Sequence, residues 1–381
     1  MTDHAPYLER VFDLDPAEGA GDLDAVHGEL PEWLRGSYYV NGPGRFRHGA
    51  LAYRHWLDGD GRVSSLAFGP GGVRFTSRFV RSVKRTGEEA ENRPLYRTFG
   101  TSFPGDRLLY GAALASPVNV SIYRFAGQLL AFGEQGLPWA LDAATLDTRG
   151  EHDFGRLNPV TPFSAHPHFC PETGEMFNFG ISYAASRPTL QLFRFDAGGG
   201  FVSRRRIPLE RPYSLHDFSL SRRHAVFFLA PYLLEMEGFL REGATVQDAL
   251  AWRPELGTTL LVVDRESGET VASLPVGDGY CLHQINCHEE EGRLTVDLLE
   301  LPEPYYPQYQ VVPDLFERVV PAAEDVYVLE RGGLHVILTE FHESKRIDRQ
   351  LFGRFAVLHA AEINQRDRRF ELLRETGNRI P

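Results

Sequence analysis

Cysteine is scarce: three in 381 residues, Cys170, Cys281 and Cys287. That number excludes a disulfide framework, and the three are not spaced like zinc ligands. Positive charge is also short, with 40 Lys+Arg against 52 Asp+Glu and a formal net charge of −12. A surface of that sign repels phosphate on average, so no nucleic-acid partner is expected. No apolar run approaches the roughly 18–20 residues needed to span a bilayer. The opening MTDHAPYLERVFDLDPAEGAGDLD is acidic and lacks the basic start and apolar stretch of a signal peptide. These absences together make a cytoplasmic protein the expectation.

What is abundant is turn-forming and aromatic: 37 Gly, 25 Pro and 26 Phe. Short β-type runs alternate with turn signals in HWLDGDGRVSSLAFGPGGVRFTSRFV, VSIYRFAGQLLAF, HFCPETGEMFNFG, LLVVDRESGETVASL and INCHEEEGRLTVDLL. Each joins stretches rich in Val, Ile, Leu or Phe through Gly with Asp, Glu, Pro or Thr, the signature of hairpins. Their recurrence favours a large sandwich or a propeller with divergent blades. No Ser/Gly-rich linker divides the chain, so one domain over residues 1–381 is preferred to two unrelated β domains. Residues 230–252, APYLLEMEGFLREGATVQDALAW, break the rhythm: Leu233, Leu234, Met236, Phe239 and Leu240 have roughly helical spacing. They predict a covering helix packed on the core. The other reading makes 232–240 a lipophilic rim around a substrate entrance, or a point of peripheral membrane contact.

Three of the 14 histidines sit in contexts suited to ligand work: His166 in SAHPHF, His216 in YSLHDFSL and His283 in YCLHQINCHEE. They are too far apart for a local zinc motif, but each precedes a strand-like run, and in a propeller such positions converge on the axis. Imidazole suits zinc, copper, iron or nickel, so the residues leave the metal open.

The phrases around them go further. LPEWLRGSYYVNGPGRF, YRHWLDGDGRV, VRFTSRFVRS, LLAFGEQGLPWALDAATLDTRG, SAHPHFCPETGEMFNFG, LHDFSLS, WRPELGTTLLVVDR, LHQINCHEEEGRLTVDL and ESKRIDRQLFGR occur in that order. The ordered series resembles the carotenoid cleavage oxygenase family, which includes retinoid isomerases and stilbene-cleaving enzymes. The resemblance implies an all-β, seven-bladed propeller with a helical or loop cap over the active-site face. It also implies one axial Fe(II) held by four histidines. His166, His216 and His283 match three of these ligands. Glu134, in GEQG, and Glu343, in ESKRID, match glutamates that accept the ligands' distal N–H groups. Such carboxylates fix the imidazole tautomer and aim the ring. His55, His168 and His288 match no ligand position.

The implied reaction adds O2 to a conjugated C=C bond of a lipophilic small molecule and yields two carbonyl products. No organic cofactor is implied. Phe99, Phe103, Trp139, Phe163 and Phe169 are candidate walls of the substrate tunnel, with core packing the other reading of each. Stilbene-cleaving relatives place a lysine beside the first glutamate, whereas Gly133 and Gln135 flank Glu134 here, which leans towards a carotenoid or apocarotenoid. A calcium-dependent propeller lactonase would need axial Asp, Glu and Asn oxygens rather than histidines. The family's fourth histidine, in a G-F-H-G-like phrase, has no match before Pro381. His342 and His359 are the late histidines and lack its neighbours. The expectation is therefore a propeller incomplete at its C-terminal end, active through three histidines or else an inactive binder of lipophilic polyenes.

Overall fold

The computed structural model describes residues 16–339 apart from 24–27, 112, 184–186, 240–242, 291, 310–322 and 331–332. Its described residues form five four-stranded antiparallel sheets and two small two-stranded ones. In spatial order the first sheet contains Gly19–Asp22, Gly72–Phe79, Asp60–Gly69 and Gly36–Arg45. The second contains Thr148–Glu151, Trp139–Leu141, Gln128–Phe132 and Ser121–Phe125. The third contains His168–Phe169, Met176–Ser182, Thr189–Phe195 and Phe201–Pro208. The fourth contains Ser219–Leu220, His224–Leu229, Thr259–Asp264 and Thr270–Pro275, and the fifth Tyr280–Glu290, Arg293–Leu301, Ala323–Glu330 and Gly333–Thr339.

The turns follow the expected chemistry. Phe125 and Gln128 pair across Ala126–Gly127, both with positive φ (47° and 76°), the twist that a two-residue hairpin requires. Pro70–Gly71 likewise joins two strands of the first sheet. HWLDG differs from the reading above. Trp56–Asp58 is a 3-10 turn, not a strand, because His55 Nδ1 accepts the Leu57 N–H and caps it.

Sheets pack face to face in chain order. Val63 and Val80 meet Leu129 and Ala131 between the first and second, and Phe132 meets Met176, Phe193 and Phe195 between the second and third. Phe177 and Phe179 meet Phe227 and Val263 between the third and fourth, and Val226 and Val262 meet Val296 and Leu298 between the fourth and fifth. Central strands such as AVFFL in His224–Leu229 are therefore apolar on both faces, since each face is a core. Each fully buried Phe contributes about 1.5–3 kcal/mol.

Helix α1 (Val83–Glu91) is capped by Ser82, which accepts the Arg85 N–H, and ends at left-handed Asn92. Residues 230–252 are not the covering helix that their spacing predicts. They form a two-stranded hairpin, Tyr232–Leu234 with Leu250–Trp252, with a short helix, α2 (Met236–Phe239), and a 3-10 turn (Gln247–Ala249) between its strands. Leu234 and Phe239 are buried in its interior with Ala249. Leu234 and Phe239 thus turn inward, while Leu233 and Met236 are half-buried. Leu240 lies outside the described residues.

Candidate metal centre

The first strands of the third, fourth and fifth sheets bring the three histidines together. His166 lies two residues before His168–Phe169, His216 three before Ser219–Leu220, and His283 inside Tyr280–Glu290. At His283 the ladder slips, with register shifts between Cys281 and Gln284 and between Gln284 and Asn286. Such a bulge re-aims a side chain.

A polar clamp holds the loop that carries His166. Asn178, fully buried, donates from Nδ2 to Ser164 O (2.9 Å) and accepts the Ser164 N–H at Oδ1 (3.0 Å). Ser164 Oγ then donates to His216 O (3.1 Å) and accepts the His166 N–H (3.1 Å). Two of the three histidines therefore share one backbone anchor.

One nitrogen from each of His166, His216 and His283 falls in a group whose atoms lie within 4.8 Å of one another. His166 Nε2 and His216 Nε2 are 2.8 Å apart. Two nitrogens bound to one metal at about 2.1 Å lie roughly 3 Å apart, so the spacing is that of ligand atoms. Burial of Glu134 Oε1 without a hydrogen-bond partner points the same way. That oxygen lies 3.1 Å from His216 Nδ1, off the hydrogen-bonding direction, and 3.7 Å from His166 Nε2. A sealed carboxylate oxygen needs a positive neighbour, and a cation among the histidines provides one. The donor set fits a borderline metal ion such as iron.

Asp217 supports the third histidine. Oδ2 accepts from His283 Nδ1 at 3.1 Å, which leaves Nε2 facing the group. Its other oxygen accepts from the Phe218 N–H (2.9 Å) and faces His168 Nε2 (3.4 Å). Burial opposes ionisation of Asp217, but the hydrogen bonds from His168 and His283 hold its carboxyl well below the usual range. The adjacent HDF phrase offered a cue to Asp217 that the sequence reading did not use. Tyr306 and Asn178 carried no cue at all. Glu343, assigned above to this role, lies outside the described residues.

Beside the histidines lies a cavity of about 490 Å³, within the range of small-molecule sites. Its walls include Phe99, Trp139, Phe163, Tyr183, Leu234 and Phe239, with Glu134 and Tyr306 between it and His216. No Lys, Arg or His is among the described lining residues. Phe179–Tyr183 forms part of the wall, where a Cβ on Gly180 would lie 2.1 Å from Pro162 O. Tyr183 donates to Tyr213 O (2.7 Å), and burial, reinforced by Glu134, pushes its phenol pKa up. Phe103 and Phe169 are not in the wall. Phe169 instead packs on Tyr123 and Phe125 in the core between the second and third sheets.

A second group, His48, Asp60 and Glu88, also has the spacing of a metal site. It already holds a cation: Lys84 Nζ lies 2.8 Å from Asp60 Oδ1 and 2.9 Å from Glu88 Oε2, over the Tyr53 ring.

The sequence model of the retinal pigment epithelial membrane protein family matches residues 15–328. The chain belongs to that family, the carotenoid cleavage oxygenases of the motif comparison. Among curated relatives, isoeugenol monooxygenase of Pseudomonas putida is 30% identical over 341 residues, 87% of this chain and 67% of the relative. Apocarotenoid-15,15'-oxygenase of Synechocystis is 30% identical over 306 residues, covering 76% of this chain and 61% of that protein. Isoeugenol monooxygenase of Pseudomonas nitroreducens is 30% identical, with 79% of this chain and 62% of that one covered. The chain thus spans roughly three fifths to two thirds of these relatives' lengths. Cobalt-substituted Synechocystis apocarotenoid oxygenase superposes with a TM-score of 0.78 at 26% identity, over 88% of this chain and 72% of that one. A second family model, the SecA P-loop domain, matches residues 308–358. Glu343 falls within that stretch and beyond the end of the first match. No helix among the described residues is long and apolar enough to cross a membrane.

Proposed function

We propose that the protein is an Fe(II)-dependent oxygenase that splits a neutral conjugated alkene with O2 into two carbonyl products. Its metal is held by His166, His216 and His283. The observation that carries this reading is the three-histidine group beside an orphaned carboxylate oxygen, at the edge of a largely apolar cavity. The sheets are then consecutive blades of one domain, the described part of a seven-bladed propeller.

When bound, the metal supplies the site at which O2 and the alkene react. The protein's share is orientation and exclusion of water. Asp217 accepts the Nδ1–H of His283 and so fixes which nitrogen turns inward. The Asn178–Ser164 clamp sets the distance between His166 and His216. Phe99, Trp139 and Phe163 offer flat apolar faces for a polyene, away from bulk water. Without a cationic side chain among its described lining residues, and with Glu134 in its wall, the cavity disfavours carboxylic acids. An apocarotenoid aldehyde or alcohol suits it. A phenolic alkene such as isoeugenol, the compound in two relatives' names, would have to donate its hydroxyl to Tyr183 or Tyr306.

The test is anaerobic loading with Fe(II), followed by addition of oxygen with an apocarotenal, isoeugenol or a hydroxystilbene in parallel. One iron per chain and alkene-dependent O2 uptake, with labelled oxygen in the aldehydes, are expected. Iron and alkene binding without O2 uptake would make the protein an inactive polyene binder. Calcium in place of iron would remove the oxygenase reading.

A further inference from the structure

Tyr306 lies in a 3-10 turn after the fifth sheet's second strand, and it is 5% exposed. Its hydroxyl is 3.0 Å from His216 Nδ1, in hydrogen-bonding geometry. Glu134 Oε1 reaches the same nitrogen at 3.1 Å but is not aligned with it. His216 Nε2 is turned to His166 and the metal position, and to bind a metal there it must keep its lone pair on Nε2. The proton then sits on Nδ1, and the Tyr306 oxygen accepts it.

The rest of Tyr306 is held firmly. Leu57 N–H donates to His55 Nδ1, so the His55 proton is on Nε2, and that group donates to Tyr306 O at 2.9 Å. Burial lowers the pKa of His55, which keeps it neutral in this role. The Tyr306 ring packs on Phe99 at 5.2 Å and Tyr232 at 6.3 Å, and Phe99 packs in turn on His55 at 5.0 Å. Main-chain oxygen, ring and hydroxyl are therefore all engaged. Tyr306 and Phe99 also line the cavity.

We infer that Tyr306 is a positioning residue for the metal ligand His216: it takes the Nδ1–H, fixes the tautomer and ties the ligand's aim to the cavity wall. The inference rests on the proposed metal centre and goes beyond it. It assigns to a phenol the contact that the motif comparison gave to Glu134, and it leaves that carboxylate oxygen facing the metal position.

Co(II) titration of the full chain tests it, in the native sequence and in Tyr306→Phe and Glu134→Gln. Tyr306→Phe keeps the ring, and its melting temperature checks the fold. Loss of the hydroxyl is expected to weaken Co(II) binding about tenfold, the lower end for an outer hydrogen-bond partner, and to alter the visible Co(II) spectrum. Binding within twofold of the native protein, with an unchanged spectrum, would overturn the inference. A second measurement needs no variant: ¹⁵N NMR of the His216 ring in the native chain loaded with diamagnetic Zn(II). The proton on Nδ1 is expected; a proton on Nε2 would overturn the inference. Failure of the native chain to bind Co(II) would instead defeat the metal-centre reading, so the two failures are distinguishable.

Discussion

Among the described residues two largely buried clusters have the ligand spacing of a metal site, and they differ in what neutralises them. In His48, Asp60 and Glu88, the positive charge is covalent: Lys84 sits between the carboxylates and Arg85 adds a contact to Asp60 at 3.2 Å. Around His166, His216 and His283 no side-chain cation is seen among the described residues, and Glu134 Oε1 is left without a hydrogen-bond partner. The comparison teaches that ligand spacing alone does not mark a metal site. The first cluster joins helix α1 to the first sheet and is complete in itself. The second leaves a buried carboxylate oxygen that a cation from outside would satisfy.

The largest effect that separates them is on folding. Lys84→Met removes the cation shared by Asp60 and Glu88, leaving Asp60 to Arg85 and His48, and is expected to cost about 3–5 kcal/mol by urea denaturation, the range for breaking a buried ion pair. His166→Ala should cost much less stability but reduce Fe(II) or Co(II) affinity at least about 100-fold, beyond the effect of losing an outer partner. His48→Ala should leave metal affinity unchanged. If His48→Ala lowered metal binding as much as His166→Ala, the distinction between the clusters would collapse.

A pH series sharpens the same contrast. Burial opposes ionisation of Asp60, but Lys84 and His48 overcome it and hold the carboxyl below its usual range. Such a group contributes stability above its unfolded pKa of about 3.9 and loses it as pH falls towards the folded value. Burial alone would lower the Lys84 pKa, yet Asp60, Tyr53 and Glu88 raise it well above the ordinary lysine value. Its contribution is full below the unfolded pKa of about 10.4 and fades as pH rises towards the folded value. The pair's own contribution, read as the difference in unfolding free energy between the native chain and Asp60→Asn, should therefore be flat from about pH 5 to 10 and fall on both sides. In Asp60→Asn both edges should soften, because one substitution removes the carboxylate and the lysine's nearest partner.

The site was legible in the sequence where chemistry and local phrase coincide, and much less so where it depends on three-dimensional neighbours. SAHPHF, HDF and LHQINC identified the three histidines because each phrase places an imidazole at a strand start or bulge. Asp217 was in plain view beside His216, yet its partner is His283, a contact made only when two sheets pack. Tyr306 reaches His216 across 90 positions, and nothing in YYPQY announces it. The spacing of Leu233, Leu234, Met236 and Phe239 fits a helix, but short apolar runs fit buried hairpins equally well. Pairing of Tyr232–Leu234 with Leu250–Trp252 decided the matter. ESKRID lies beyond the end of the family match and outside the described residues, so Glu343 stays an expectation of the motif comparison.

Asn178 provides a smaller test of what aims the histidines. Asn178→Ala removes both bonds to Ser164 and leaves Ser164's carbonyl without that donor. About 1–3 kcal/mol of stability should be lost, with metal affinity falling several-fold as His166 and His216 lose their common anchor. A stability loss with no change in affinity would mean that the clamp supports the sheets but not the histidine geometry.

The smallest expected effect concerns His168. It meets the same carboxylate as His283, but at 3.4 Å, and its side chain is 30% exposed. Water can replace a contact that long and that accessible, so His168→Gln should cost no more than about 0.5 kcal/mol and change Co(II) affinity less than about threefold. Asp217→Asn, by contrast, alters the acceptor that orients His283 and should weaken Co(II) about 10- to 100-fold. The two substitutions touch opposite oxygens of one carboxylate, so their ratio measures how local the support of the centre is. A His168→Gln effect as large as that of Asp217→Asn would mean that Asp217 orients His283 only while both its oxygens are held. The histidine centre would then depend on a surrounding polar network as fully as the Lys84 cluster does.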